Sequence, residues 1–162
     1  VVLPGVGSFS AAMDELNSRG LVEAIRPRVI KARPTLAICL GLQVLGTASE
    51  ESPGTDGIGV FDVQAARFGR ALRVPQLGWN LVRPAQGCRF LKDGYGYFAN
   101  SYRLTEIPRG WNGAMADYGG AFVAAIERGP VLACQFHPEL SGKWGDALIE
   151  RWQGAAGEQS IC

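Results

Sequence analysis

Three short, mostly apolar runs constrain the fold of this chain more than any other feature. They are the segments Val1–Leu3, Thr35–Cys39 and Val131–Phe136. Each is too short for an ordinary helix, and none shows the regular alternation of a strand with one solvated face. Runs of this kind are typical of strands that are buried on both sides in a parallel sheet. They predict an α/β protein.

Helical periodicity links the first two runs. Apolar residues recur at helical spacing in the segment 10–31. Gly20 and Pro27 interrupt this segment, which therefore predicts one interrupted helix or two short ones. A second helix is predicted for 43–50. A closing helix is predicted after Ser141, whose hydroxyl is placed to cap it.

The middle of the chain mixes or alternates apolar and polar residues, which predicts strands and hairpins. With the buried runs, these strands predict a mainly parallel sheet with an antiparallel extension, in one domain at residues 1–152. The small and polar residues 153–162 predict a frayed tail. Chemistry in such a sheet is expected at the strand ends. The expected strands are Val60–Phe68, Leu77–Val82, Tyr97–Leu104, Ala114–Tyr118 and Phe122–Glu127.

The composition argues against several classes of function. The 162 residues include 16 Lys and Arg against 15 Asp and Glu, without a concentrated basic run, so a nucleic-acid partner is not expected. No apolar stretch reaches the roughly 18 residues of a membrane span, so no membrane association is expected. The N-terminal residues lack the pattern of a signal sequence, so a cytoplasmic location is predicted. The four cysteines lie far apart, which favours free thiols over a metal site.

Cys39 stands at a predicted junction between a buried strand and a helix. A cysteine on so sharp a turn projects its sulfur from the sheet edge, and the helix N-terminus is expected to lower the pKa of the thiol. Ala37 and Gly41, two residues to either side, leave room for the turn. A lone cysteine in an apolar strand is more often a buried structural residue. The pattern therefore predicts a nucleophile elbow only if a base lies nearby.

His137 is the single histidine of the chain and follows the apolar run that ends at Phe136. A cysteine nucleophile normally needs an imidazole beside it. Glu139 comes two residues later, and in an extended segment residues two apart project to the same side, so its carboxylate is expected to orient the imidazole. These residues predict a Cys39–His137–Glu139 triad.

Five motifs extend this pattern into a family resemblance. They occur in the order found in class I glutamine amidotransferases, which have a flavodoxin-like fold. Within that family they look most like the glutaminase subunits of imidazole glycerol phosphate synthases. The resemblance covers nearly the whole chain, to about Trp152. The motifs are Pro4-Gly5-Val6-Gly7-Ser8-Phe9, Cys39-Leu40-Gly41-Leu42-Gln43, Leu77-Gly78-Trp79-Asn80, Tyr97-Phe98-Ala99-Asn100-Ser101-Tyr102 and Gln135-Phe136-His137-Pro138-Glu139-Leu140-Ser141-Gly142.

The resemblance implies a set of site residues for glutamine hydrolysis. Cys39 would form a thioester, His137 would move the protons, and Glu139 would stabilise the imidazolium. The oxyanion would be held by backbone amides, and the glutamine head by polar side chains. No metal and no organic cofactor is implied. The expected oxyanion residues are Leu40, Gly5, Val6 and Gly7, and the expected substrate-binding residues are Gln43, Ser101 and Tyr102.

The resemblance also implies a partner. Ammonia would pass to a (β/α)₈-barrel cyclase subunit in a heterodimer that makes imidazole glycerol phosphate in histidine biosynthesis. Two alternatives remain open at this point. One is the glutaminase component of another class I enzyme, such as anthranilate or aminodeoxychorismate synthase, or more remotely a cysteine peptidase. The other is a non-catalytic fragment that binds a partner.

Several features depart from the family pattern. Ala37 stands where glycine is usual in the elbow, and Asn100 and Gln76 stand where histidines are usual. The family also has a strand, a helix and a further strand before the position of Val1. Because those elements normally flank it, the segment Val1–Leu3 is expected to form an exposed apolar edge of the sheet.

Overall fold

The computed structural model describes residues 1–158. Helices alternate with strands in the first part of this range, and a long helix closes it. The helices are α1 (Phe9–Ser18), α2 (Leu21–Ile30), α3 (Leu40–Val44) and α4 (Gly142–Glu158), with a short 3-10 helix at Pro138–Leu140. The strands are β1 (Val2–Leu3), β2 (Thr35–Ile38), β3 (Ala66–Arg67), β4 (Gln76–Pro84), β5 (Gly94–Asn100), β6 (Tyr102–Arg103), β7 (Asn112–Asp117), β8 (Ala121–Arg128) and β9 (Val131–Cys134).

Seven strands of the described range form one mixed sheet in the order β1-β2-β9-β8-β7-β4-β5. The α/β class is therefore confirmed. The parallel part holds β1, β2 and β9, whereas the other neighbours are antiparallel. The sheet is thus less parallel than expected, because short turns at Tyr118–Gly120 and Gly129–Pro130 join β7 to β8 and β8 to β9, and turns this short connect only antiparallel strands.

The sheet is covered on both faces. Alternate residues of β2 enter different apolar clusters: Ala37 packs into the cluster that includes α1 and α2, and Leu36 and Ile38 pack into the one that includes α4. This alternation follows from the two-residue period of a strand. The runs that form β2 and β9 are therefore strands buried between two helical layers, as predicted.

The first strand lies at the edge of the sheet, where β1 pairs with β2 in parallel register. Val1 and Val2 are each 54% exposed. The expectation of an exposed apolar edge is confirmed for Val1 and Val2, whereas Leu3 is buried in the core.

The segment 10–31 forms two helices rather than one. Gly20 separates them with a left-handed backbone (φ 64°), a conformation that favours glycine. Pro27 lies inside α2 and does not end it, since the helix continues to Ile30.

Two local predictions in the next segment were wrong. The helix expected at 43–50 is α3, which begins earlier and ends at Val44, and the strand expected at 60–68 is reduced to β3. The first segment instead binds residues 58–65: Ile58 N–H donates to the Val44 carbonyl at 2.7 Å and Val60 N–H to the Leu45 carbonyl at 2.8 Å. Those tertiary bonds take the carbonyls that a longer helix would use.

The closing helix is longer than predicted, since α4 continues beyond Trp152 to Glu158. The rest of the predicted frayed tail, residues 159–162, lies outside the described residues. Ser141 directly precedes α4, but its hydroxyl accepts a hydrogen bond from Tyr97 N–H at 2.9 Å and donates to the His137 carbonyl at 2.6 Å.

Within residues 1–158, no helix has the length and apolar character to cross a membrane.

Candidate active site

A cavity of about 360 Å³ lies at the carboxyl ends of β2 and β9. Strands β2 and β9 are parallel neighbours, so the residues that follow them meet at one edge of the sheet. Nine of the ten site residues predicted from the sequence line this cavity. The tenth, Glu139, does not line it but contacts His137, which does. The nine are Gly5, Val6, Gly7, Cys39, Leu40, Gln43, Ser101, Tyr102 and His137.

Cys39 occupies the sharp turn that the sequence predicted. Strand β2 ends one residue before it and α3 begins one residue after it. Its backbone has φ 54° and ψ −109°, a combination that a residue with a side chain rarely adopts. The Cys39 N–H donates to the Cys134 carbonyl of β9 at 2.7 Å, and the neighbouring strand thereby holds the strained turn in place.

Two glycines allow the backbone after β1 and the backbone after Cys39 to pack closely against each other. A Cβ atom on Gly41 would lie 2.1 Å from the Leu3 carbonyl oxygen, and one on Gly5 would lie 2.6 Å from the Gly41 nitrogen. Positive φ, in contrast, is found at Gly7 (φ 99°). Gly5 is therefore required by lack of space, whereas Gly7 is required by its left-handed backbone.

We expect Gly41→Ala to lower the free energy of unfolding by about 1–3 kcal/mol, because the added methyl group meets backbone that cannot rotate away. Gly69→Ala is the matched control, since a Cβ atom there has no neighbour within 4 Å. Denaturant titrations of both variants measure the difference. Equal stability of the two would show that the contact between Gly41 and β1 is not tight.

His137 and Glu139 form the second part of the site. The His137 N–H donates to the Tyr97 carbonyl at 2.8 Å, and its ring Nδ1 lies 2.8 Å from Glu139 Oε1. This pairing leaves the ring Nε2 as the nitrogen available for proton transfer. The predicted extended segment is instead a 3-10 helix that begins at Pro138, a residue suited to the first helical position. The carboxylate still reaches the imidazole.

The pKa of the Cys39 thiol differs from the expectation. The pKa is raised to about 11, mainly by burial and slightly by the Glu139 carboxylate, although hydrogen bonds from Leu40 N–H and Gln135 lower it. The predicted lowering was wrong because α3 has only five residues and the sulfur is largely removed from water. In the free protein the thiol is therefore protonated near neutral pH, and a base must remove its proton during reaction.

Two polar residues of the site were missed by the sequence analysis. Gln135 is fully buried, and its Nε2 lies 3.7 Å from Cys39 Sγ. Its position as a polar residue inside the apolar run Val131–Phe136 was a usable signal, because buried amides need partners. Glu51 lines the cavity and accepts a hydrogen bond from Phe9 N–H at 2.8 Å.

Two of the three residues that depart from the family pattern lie next to each other. Gln76 and Asn100 are opposite residues of β4 and β5, and both are buried. Asn100 lines the cavity and donates from Nδ2 to the Tyr102 carbonyl at 2.9 Å. Both positions therefore carry amides in this chain, and the Asn100 amide supports the segment that contains the predicted substrate-binding residues.

The family model for glutamine amidotransferase class-I matches residues 1–153. The chain belongs to this family. Among curated relatives of this amidotransferase are the imidazole glycerol phosphate synthase subunits HisH of Streptococcus gordonii and Escherichia coli K12. The chain is 39% identical to the first over 158 residues and 41% identical to the second over 157. These alignments cover 94% and 93% of this chain and 76% of each relative.

A third relative is the chloroplastic imidazole glycerol phosphate synthase hisHF of Arabidopsis thaliana. The chain is 39% identical to it over 159 residues, which is 94% of this chain but only 27% of the plant protein. The amidotransferase thus matches one part of that longer polypeptide.

Solved structures agree with the fold of the amidotransferase. The crystal structure of a glutamine amidotransferase has a TM-score of 0.71 at 23% identity, covering 96% of this chain and 78% of that one. A glutamine amidotransferase from Thermotoga maritima has a TM-score of 0.61 at 18% identity, covering 100% of this chain and 65% of that one. At these identities the likeness concerns the fold.

Proposed function

We propose that this chain hydrolyses glutamine to glutamate and ammonia, with Cys39, His137 and Glu139 as its catalytic triad. The observation that carries the proposal is the meeting of a strained cysteine elbow and a histidine–carboxylate pair in one cavity. Backbone strain of this kind collects at functional sites. A purely structural cysteine would need neither the strain nor the cavity.

The reaction begins when His137 Nε2 takes the Cys39 proton as the sulfur attacks the side-chain amide carbon of glutamine. The resulting oxyanion is held by the Leu40 N–H and by amides of the loop Gly5–Gly7. His137 then gives its proton to the leaving nitrogen, and ammonia departs. The same imidazole next deprotonates water, which attacks the γ-glutamyl thioester and releases glutamate and the Cys39 sulfur. Glu139 stabilises the imidazolium throughout.

The α-amino-acid end of glutamine is bound by the wall of the cavity that contains Gln43. Gln43 already uses its Nε2 in hydrogen bonds to the Tyr102 carbonyl and to Gln135 Oε1, both at 3.0 Å. Its Oε1 is therefore the atom that accepts from the substrate's ammonium group. Glu51 supplies a carboxylate on the same cavity, which complements that positive charge. Ser101 and the Tyr102 backbone complete the wall.

Ammonia is passed on to a cyclase subunit with a (β/α)₈ barrel, and this chain and the cyclase form a heterodimer in histidine biosynthesis. The names of the relatives support this assignment, since they are subunits or parts of imidazole glycerol phosphate synthases. An exposed apolar face near the cavity also supports it. On β4 and β5, Leu77, Trp79 and Tyr95 are each more than half exposed, and Leu140 beside the catalytic histidine is 53% exposed. The cytoplasmic location stays a prediction.

Isotope tracing tests the proposal. The protein is incubated with glutamine labelled with ¹⁵N in its side chain, with and without a cyclase subunit and its phosphoribosyl substrate. We expect labelled imidazole glycerol phosphate when both proteins are present, and slow formation of labelled ammonia when this chain is alone. Labelled anthranilate with an anthranilate synthase partner would instead assign the chain to that enzyme. Absence of glutamate in every mixture would favour a non-catalytic role.

A further inference from the structure

We propose that Gln135 is a positioning residue that directs the Cys39 sulfur into the cavity and donates a hydrogen bond to it when it is ionised. This inference rests on the proposed function of Cys39 as the nucleophile. Gln135 directly follows β9, the strand that pairs with the elbow strand, so its side chain approaches the sulfur from the neighbouring strand. Its own N–H donates to the Ala124 carbonyl at 2.8 Å, which fixes its backbone.

The orientation of the Gln135 amide is set by its neighbours. The Tyr102 carbonyl can only accept, so the Gln43 atom that contacts it at 3.0 Å must be the nitrogen. The second hydrogen on that nitrogen is directed to Gln135, which therefore presents its oxygen, at 3.0 Å. The Gln135 nitrogen is thereby turned toward Cys39 Sγ, at 3.7 Å. Three hydrogen bonds thus connect the substrate-binding wall to the nucleophile.

This series of hydrogen bonds favours the ionised Cys39 sulfur over the neutral thiol. Hydrogen bonds to charged acceptors are roughly twice as strong as those between neutral groups. The Gln135 bond lowers the pKa of Cys39, as does the bond from Leu40, against the larger effect of burial. Because Gln135 is fully buried, water cannot replace its amide when it is removed.

The other titratable groups around the sulfur do not provide this donor. Glu139 raises the pKa of Cys39, and Glu51 also carries a carboxylate on the cavity wall. His137 is the proton acceptor of the reaction. Cys134, on β9 beneath the elbow, has a pKa raised well above its ordinary value by burial, so it remains neutral. A substitution at Gln135 leaves all four groups in place.

The pH dependence of Cys39 alkylation tests the inference. Gln135→Glu replaces the donor by an acceptor of nearly the same shape, and Gln86→Glu places the same change on an exposed residue as the control. Iodoacetamide labelling of Cys39 is followed by peptide mass spectrometry between pH 7 and 10. We expect at least about tenfold slower labelling at each pH in Gln135→Glu, equivalent to a rise of one pH unit in the thiol pKa, and unchanged labelling in the control.

A second variant covers the case in which Gln135→Glu does not fold. Gln43→Leu leaves Gln135 in place but removes the group that orients it, so labelling is again expected to slow. Unchanged labelling rates in a folded Gln135 variant, or in Gln43→Leu, would overturn the positioning role. A wild-type protein that never hydrolyses glutamine would overturn the proposed function instead, and the labelling profile distinguishes the two failures because it needs no substrate.

Discussion

Glutamine hydrolysis is expected to fall by at least about 10⁴-fold in Cys39→Ala, because loss of the nucleophile in a catalytic triad removes nearly all of the acceleration that the triad provides. Without the sulfur no thioester forms, and the remaining amide donors bind the substrate without converting it. Glutamate production, measured by a coupled dehydrogenase assay at saturating glutamine, gives the loss in kcat directly.

Cys88→Ala is the control for this experiment. Cys88 lies outside the cavity, half-buried, and its thiol donates a hydrogen bond to the Gly113 carbonyl at 3.4 Å. We expect this variant to keep most of the activity. Residual turnover of Cys39→Ala near the wild-type rate would exclude the elbow as the reaction centre.

Addition of a cyclase subunit with its bound ligand is expected to raise glutaminase activity at least about a hundredfold over the isolated chain. The loss of one oxyanion donor typically costs about 10²–10³-fold in rate, so rotation of a single peptide is enough to switch the reaction. Free hydrolysis would waste glutamine and release ammonia to solvent. Steady-state assays with no partner, with cyclase alone and with liganded cyclase measure this activation.

The structure locates the part of the loop that is able to rotate. Gly5 is packed against the elbow, whereas Val6 is 87% exposed and a Cβ atom on Gly7 would have no neighbour within 4 Å. The Val6–Gly7 peptide is therefore free to turn, with the positive φ of Gly7 defining the present state. Gly7→Ala should disfavour that state. We expect the activation ratio, which is the glutaminase rate with liganded cyclase divided by the rate without it, to change several-fold, with cyclase affinity nearly unchanged.

Gly54→Ala is the matched control for Gly7→Ala, since Gly54 has a similar φ of 87° and equally open surroundings, in a loop outside the cavity. Its activation ratio should equal that of the wild type. Equal glutaminase rates with and without liganded cyclase would exclude this switch and would indicate a stand-alone hydrolase. A substitution at Gly5 would not test the switch, because a side chain there would disturb the elbow itself.

The local sequence pattern was sufficient to predict the strands that are buried on both faces. The buried strands β2 and β9 were found because a strand covered on both faces has an apolar sequence throughout. The helix at 43–50 and the strand at 60–68 were wrong because the two segments exchange backbone hydrogen bonds with each other. Partners chosen by tertiary contact leave no local periodicity in the sequence.

The sequence by itself determined the candidates for the proposed triad: one cysteine at a strand–helix junction, and one histidine with a carboxylate two residues later. Only the tertiary structure decided how they are brought together. The parallel pairing of β2 with β9 brings Cys39 and His137, which are far apart in the chain, to one edge of the sheet. It also buries the sulfur, which raises the pKa of Cys39, and directs Gln135 at it. Burial and proximity depend on the packing of whole elements, and therefore no short segment of sequence contains them.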